Sequence, residues 1–276
     1  MHLFSRLSTR LLSCCAAGLL LLACVDTTVQ AASGNLEIDF VFPQNDTYSP
    51  QPIIPVAFAF QNSALAGFVQ PRVDFIIIPY GNHTESIASG YFDMKWANFT
   101  ESDPYMQYGQ ALEVLNTEGV WELHWTLSVT NCSSTNGGNL EYTPNDMVQR
   151  VVFTTKNGAK KPDLTAATSA DTCANAQAYA FTITETKDTG DFFDNRKPCA
   201  VMAETRPTPN PCAVQIDAAA AGNLSASMTA RACAVTNATW CPEPKDDGAH
   251  GLMVPSLAVA SVAFLAAAVG MGLLAL

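Results

Sequence analysis

The chain has little basic charge. Its 14 lysines and arginines stand against 25 aspartates and glutamates, which gives a formal net charge of −11. No basic run and no basic patch with interleaved aromatic residues occurs, and such patches are the electrostatic footprint of nucleic-acid binding. The composition therefore argues against a nucleic-acid partner and indicates an acidic surface that repels other copies of itself.

The chain also lacks the short motifs of common metal and enzyme sites. No Cys-x-x-Cys pair occurs, and no histidine stands at zinc-ligand spacing from a cysteine pair. The Gly-x-Ser-x-Gly motif of many serine hydrolases is absent as well. We therefore predict that the protein is not an enzyme, with no catalytic residue, no bound metal and no cofactor.

Two acidic patterns weakly suggest chemistry. Residues 188–190 spell the Asp-Thr-Gly triplet of aspartic proteases, but a single copy occurs among polar neighbours, so a surface turn is favoured. Asp188, Asp191 and Asp194 lie three residues apart, without the alternating acidic positions of a calcium-binding loop. A solvated acidic loop is the simpler interpretation.

A histidine could serve as the base of a hydrolase. His83 lies inside an N-glycosylation sequon, and His124 lies on the polar face of a predicted strand. His124 would act as a base only if a nucleophile and an orienting acid converge on it. A secreted hydrolase of unrecognised type therefore stays open as an alternative.

An apolar segment near the start of the chain predicts export. Residues 11–24 form an apolar run after Arg6 and Arg10, and residues 29–31 resemble a signal cleavage site. We predict that residues 1–31 are a secretory signal peptide. Residues 21–24 also resemble a bacterial lipobox, which is the competing interpretation.

A second apolar segment predicts a lipid anchor. Small residues around Asp247 and Gly248 lie in a spacer and attachment region, residues 242–256, and an uncharged tail follows at residues 257–276. This order matches a glycosylphosphatidylinositol (GPI) signal. A transmembrane anchor is the alternative, since about 20 apolar residues can span a bilayer, but no Lys or Arg follows the tail.

The cysteines and the N-glycosylation sequons also indicate an exported protein. After the predicted signal, six of the nine cysteines remain, an even number that predicts three disulfides with any of 15 connectivities. Six Asn-x-Ser/Thr sequons predict N-glycosylation and favour a eukaryotic secretory protein. The cysteines are Cys132, Cys173, Cys199, Cys212, Cys233 and Cys241, and the sequons begin at Asn45, Asn82, Asn98, Asn131, Asn223 and Asn237.

Alternation of apolar and polar residues dominates residues 32–160. Residues 36–42, 56–60 and 120–129 alternate with a period of two, which is typical of strands, and Trp121 and Trp125 fall on the core face of the last. Residues 72–78 are apolar on both faces from position 75 onward, so we expect a buried central strand. The fold class predicted is all-β, an immunoglobulin-like β-sandwich with a disulfide-rich C-terminal β extension.

The composition changes towards Ala, Thr and Cys after Pro162. We predict a cysteine-containing β module over residues 161–241 that packs on the sandwich or continues it. Weak strands are expected at residues 179–186, 213–217 and 224–232, and a short helix within residues 164–178. Disulfides would stabilise a module with so few large apolar residues.

Aromatic residues are dense between residues 91 and 108, in a segment that reads as a loop. Tyr91, Trp96 and Tyr105 are candidate glycan-binding residues, because exposed rings provide flat platforms for sugars. A packed cap over the open end of the sandwich is the alternative.

Several segments resemble a known protein family. They are LEIDFVFPQNDTYSP at residues 36–50, PVAFAFQN at 55–62, GVWEL at 119–123, NPCAV at 210–214 and ARACA at 230–234. The chain is similar, from about residue 34 to 241, to fungal secreted, often GPI-anchored proteins built on a domain of unknown function. The resemblance implies export but no activity, catalytic residue or cofactor.

These features predict a non-enzymatic, GPI-anchored glycoprotein of the fungal cell surface or cell wall. Its expected role is structural or one of extracellular interaction, with wall polysaccharide or an extracellular protein as partner. A lectin-like, glycan-binding module is the alternative.

Overall fold

A computed structural model describes residues 32–242, with gaps at residue 83, residues 135–139, residues 189–197 and residue 237. Within this part of the chain, no helix has the length and apolar character needed to cross a bilayer. Several predictions fall outside the described residues: the signal at 1–31, the anchor residues Asp247 and Gly248, the tail at 257–276, and His83, Asp191, Asp194 and Asn237.

Strands account for most of the described chain. They are β1 (Gly34–Phe42), β2 (Thr47–Tyr48), β3 (Ile53–Gln61), β4 (Arg72–Pro79), β5 (Ala88–Asp93), β6 (Tyr105–Leu112), β7 (Gly119–Ser134), β8 (Leu140–Thr155), β9 (Gln177–Lys187) and β10 (Cys199–Met202). The α-helices are α1 (Ala66–Val69), α2 (Leu164–Ala167) and α3 (Ala218–Val235).

The strands form two five-stranded sheets that pack face to face. The first sheet has the order β10-β9-β1-β3-β6, and the second has the order β2-β8-β7-β4-β5. Neighbours pair antiparallel, apart from the two-residue β2, which runs parallel to β8. The predicted all-β, sandwich-like class is confirmed.

The core lies between the sheets and centres on Trp125. The Trp125 ring is fully buried, and its centroid lies 5.6 Å from that of Phe40 and 5.4 Å from those of Phe58 and Tyr179. Its indole N–H donates to the Gln177 side-chain oxygen at 2.8 Å, so burial leaves no polar group unpaired. Trp121 is buried as well, which confirms the core face predicted for β7.

The C-terminal part differs from the prediction in two places. Residues 224–232 lie within α3 and are not a strand, and residues 213–217 form the end of a 3-10 turn followed by a segment without strand pairing. Alanine has the highest helix propensity, and the Asp217 carboxylate caps α3 by accepting the Ala220 N–H at 2.7 Å. The strand expected at residues 179–186 is confirmed as β9, which pairs with β1 in the first sheet.

Three disulfides join the six predicted cysteines. Cys132–Cys199 links β7 of the second sheet to β10 of the first, Cys173–Cys212 joins two 3-10 turns, and Cys233–Cys241 closes the chain after α3. The predicted number of disulfides is confirmed. Disulfides persist in oxidising compartments, so this framework is typical of an extracellular or secreted protein.

Removing Cys132–Cys199 should destabilise the fold more than removing Cys233–Cys241. The two bridges join residues 67 and 8 positions apart. A disulfide lowers the entropy of the unfolded chain, and it does so more when the loop that it closes is longer. We therefore expect the free energy of unfolding to fall by about 4 kcal/mol without Cys132–Cys199 and by about 2.5 kcal/mol without Cys233–Cys241. Urea denaturation of the two double Cys→Ala variants measures both, and equal losses would contradict the inter-sheet role of Cys132–Cys199.

Candidate functional site

The outer face of the first sheet is covered by the chain itself. We name residues 207–235 the C-terminal cover. The Tyr108 hydroxyl on β6 donates to Ser227 on α3 at 3.0 Å, and the Gln61 side chain on β3 donates to the Asn210 carbonyl at 3.1 Å. Val214 and Ile216 of the cover are buried in the core cluster. The part of this face formed by β1, β3 and β6 is therefore closed to a partner.

An acidic pair lies beneath the cover. Both carboxylate oxygens of Glu37 accept the Asn210 backbone N–H, at 2.7 and 2.8 Å, which ties the cover to β1. Asp39 is fully buried, and its Oδ2 accepts from the Gln61 amide at 2.8 Å while its Oδ1 has no hydrogen-bond partner among the described residues. Burial, together with the neighbouring Glu37 side chain, raises the pKa of Asp39 to about 8. Since solvent does not reach Asp39, a substrate cannot reach it either.

The outer face of the second sheet, which we name the open face, is exposed. Two rows of outward side chains cross β5, β4, β7 and β8 at paired positions. A row of four paired strands spans about 15 Å. One row is Tyr91, Asp74, Thr126 and Val148, and the next is Ser89, Ile76, His124 and Arg150.

Apolar side chains on the open face meet solvent. Tyr91 is 62% exposed, Val148 63% and Ile76 42%. The exposure of Ile76 corrects the expectation that the central strand β4 is buried on both faces. Its outward side remains open because the cover packs on the other sheet.

One carboxylate on the open face is buried. The Glu122 side chain is 2% exposed, lies 2.8 Å from the Arg150 guanidinium and lies 3.4 Å from His124 Nε2. The candidate base His124 is therefore placed beside an acid. Among the described residues, the ring of His124 contacts the Glu122 carboxylate and no serine, threonine or cysteine side chain hydrogen-bonds to it.

At the β4–β5 edge of the open face, a cation lies over an aromatic ring. The Arg72 guanidinium carbon is 4.6 Å from the Tyr91 ring centroid. Its Nε and Nη2 donate to the two Asp74 oxygens at 2.8 and 2.7 Å, and this hydrogen-bonded carboxylate raises the pKa of Arg72. A groove of about 570 Å³ adjoins them, lined by Asp74, Phe75, Ile76, Ser89, Gly90 and Tyr91.

The structure places the three predicted glycan-binding residues on different elements. Tyr91 lies on β5, and Trp96 follows that strand and is 71% exposed. Tyr105 begins β6 of the first sheet and packs against Phe60 and Phe99, with ring centroids 6.3 and 5.1 Å away. Burial raises the pKa of Tyr105. Residues 91–93 and 105–108 of the segment expected to be a loop are strand, whereas residues 94–104 connect β5 to β6 outside any strand.

Sequence reasoning missed Arg72, Asp74 and Ile76 as site residues. The signal was available, because alternation in β4 places these three side chains on the face opposite Val73 and Phe75. Their position beside Tyr91 depends on the β4–β5 register, in which Asp74 pairs with Tyr91.

Most of the described sequons lie at the surface. Asn45, Asn82, Asn98 and Asn223 are exposed, whereas Asn131 is half-buried and its side-chain oxygen accepts the Met202 N–H at 2.8 Å. Glycosylation at these positions stays a prediction. Asp188 is exposed after β9, and the described residues contain no cluster of three metal-binding side chains.

The pH dependence of stability should report the buried Asp39. Between its ordinary pKa near 3.8 and about 8, folded Asp39 holds a proton that the unfolded chain has released. This group therefore lowers stability as pH rises through that window, by at most about 1.4 kcal/mol per pH unit. Urea denaturation at pH 5, 7 and 9 should show that Asp39→Asn becomes progressively more stable than the parent. The exposed control Asp171→Asn should show no such trend, and a parallel trend in both variants would contradict the assignment.

Comparison of the chain with known proteins identifies its family. The chain matches no curated protein and no solved structure. Residues 31–245, most of the chain, match a domain of unknown function, DUF7136. The protein therefore belongs to the DUF7136 family.

Proposed function

We propose that the protein is a GPI-anchored, N-glycosylated protein of the fungal cell surface or wall that acts by extracellular contact and not by catalysis. The apolar tail after Asp247 and Gly248 and the predicted signal at residues 1–31 support attachment and export. The disulfide framework and the four exposed sequons agree with that compartment. The resemblance to fungal secreted proteins supports a fungal origin of the chain.

The contact role in this proposal rests on the difference between the two outer faces of the sandwich. The cover closes the β1, β3 and β6 part of the outer face of the first sheet, while the open face presents Ile76, Tyr91 and Val148 to solvent. Exposed apolar and aromatic side chains grouped on one face are typical of interaction surfaces. We therefore assign the contact role to the open face.

A non-enzymatic role agrees with the placement of the titratable groups. The acidic pair Glu37 and Asp39 is enclosed under the cover, and the Glu122 carboxylate is held by Arg150 and His124. Catalytic carboxylates and bases must reach the reacting atoms. In our proposal Glu37 and Glu122 hold packed elements together, and Asp39 is enclosed without a catalytic role.

Phosphatidylinositol-specific phospholipase C should release the protein from cells that express the full chain. The enzyme cleaves the lipid anchor and leaves transmembrane proteins in place. A chain that lacks residues 257–276 serves as the control and should appear in the medium without treatment, because the anchor signal is missing. Immunoblots of medium and membrane fractions measure both. Extraction by detergent alone would contradict the anchor.

Charge placed on the open face should weaken contact. Attachment to isolated fungal wall fragments is measured for cells that display the full chain. We expect Ile76→Lys and Val148→Lys to reduce attachment about fivefold or more, since a buried contact would then enclose an unpaired charge. Val235→Lys is the matched control, because Val235 is 75% exposed on α3, away from this face.

Surface expression and circular dichroism verify that the variants fold. Equal attachment by all three variants would refute the contact role of the open face. Turnover of a wall polymer that is lost in His124→Ala would replace the contact proposal with the hydrolase alternative.

A further inference from the structure

The groove at the β4–β5 edge combines an aromatic wall with an apolar floor. Tyr91 forms one side, and Ile76, on the neighbouring strand, contributes exposed aliphatic surface. Position 90 favours glycine, because a Cβ there would lie 2.7 Å from the Phe75 ring. The Phe75 ring therefore packs directly against the backbone of Gly90. The groove therefore lies on a firmly packed base.

Polar groups at the groove are held in place before any ligand binds. The paired Arg72 and Asp74 side chains are 46% and 42% exposed. A guanidinium has five N–H donors and a carboxylate about four acceptor positions, and this pair uses two of each on one another. The remaining donors and acceptors can meet hydroxyl groups, and the Ser89 hydroxyl lines the same groove.

The charges of the site select against anions. Arg72 is the cation, and it is balanced by Asp74 and attracted also by Asp93. Nearby aspartates and the net charge of −11 would therefore repel an anionic ligand. A neutral ligand with many hydroxyl groups and a flat apolar ring face complements the site better.

We propose that this groove binds a neutral pyranose carbohydrate, with the sugar ring stacked on Tyr91 and its hydroxyl groups bonded to Asp74 and Ser89, which line the groove. The inference rests on the proposed contact role of the open face and names its partner as a neutral polysaccharide. Trp96 and Tyr105 do not line this groove. The site thus differs from the three-residue platform predicted from sequence.

Calorimetric titration of the full chain tests the assignment. The protein is purified in a detergent without a sugar head group, and the probes are laminarihexaose, mannohexaose, chitohexaose and an oligogalacturonate. We expect saturable binding of at least one neutral hexasaccharide and none of the charged one. Tyr91→Ala should weaken that binding roughly tenfold through loss of stacking. Asp74→Ala should weaken it about as much, because the groove loses a hydrogen-bond acceptor for the sugar hydroxyl groups.

Tyr80→Ala is the matched control, because Tyr80 is 61% exposed and follows the opposite end of β4. Its binding should equal that of the parent. Unchanged binding in Tyr91→Ala, or equal binding of the oligogalacturonate, would overturn the assignment.

The outcomes also separate this inference from the contact role. If no neutral hexasaccharide binds while Ile76→Lys still reduces attachment to wall fragments, the carbohydrate assignment fails and the contact role stands. If neither effect occurs, both fail.

Discussion

Packing of the C-terminal cover on the first sheet is the constraint on which the rest of the structure depends. A two-sheet sandwich has two outer faces, and the cover removes the β1, β3 and β6 part of one of them from solvent. Asn210 ties the cover to Glu37, and Val214 and Ile216 extend the hydrophobic core across the sheet. The cover also encloses Asp39, whose burial makes this attachment sensitive to pH. The second sheet is left to meet other molecules.

Two short side chains lie on the outer side of the first sheet. Ala57 and Ala59 lie on the outer side of β3 and are fully buried, and such short side chains allow a helix and its preceding segment to approach the strands closely. On the open face the corresponding positions hold long or charged side chains such as Arg150, His124 and Tyr91.

Much of the sandwich was predictable from alternation, because a period of two fixes which side chains share a face. The clearest case is β7, whose two tryptophans are buried as expected. The helix α3 was missed because its sequence is rich in Ala and Ser and has few large apolar residues, so neither periodicity is strong. The burial of Asp39 and the grouping of Arg72 with Tyr91 depend on tertiary packing and strand register, which one sequence does not reveal.

The difference between the two outer faces is tested most directly by hydroxyl-radical footprinting of the full chain with mass spectrometry. The account predicts rapid labelling of Tyr91 on the open face and strong protection of Met228, although methionine is intrinsically reactive, because Met228 is buried in α3 on the first sheet. Labelling of Met228 as fast as that of Tyr91 would show that the cover does not stay closed and would contradict the account.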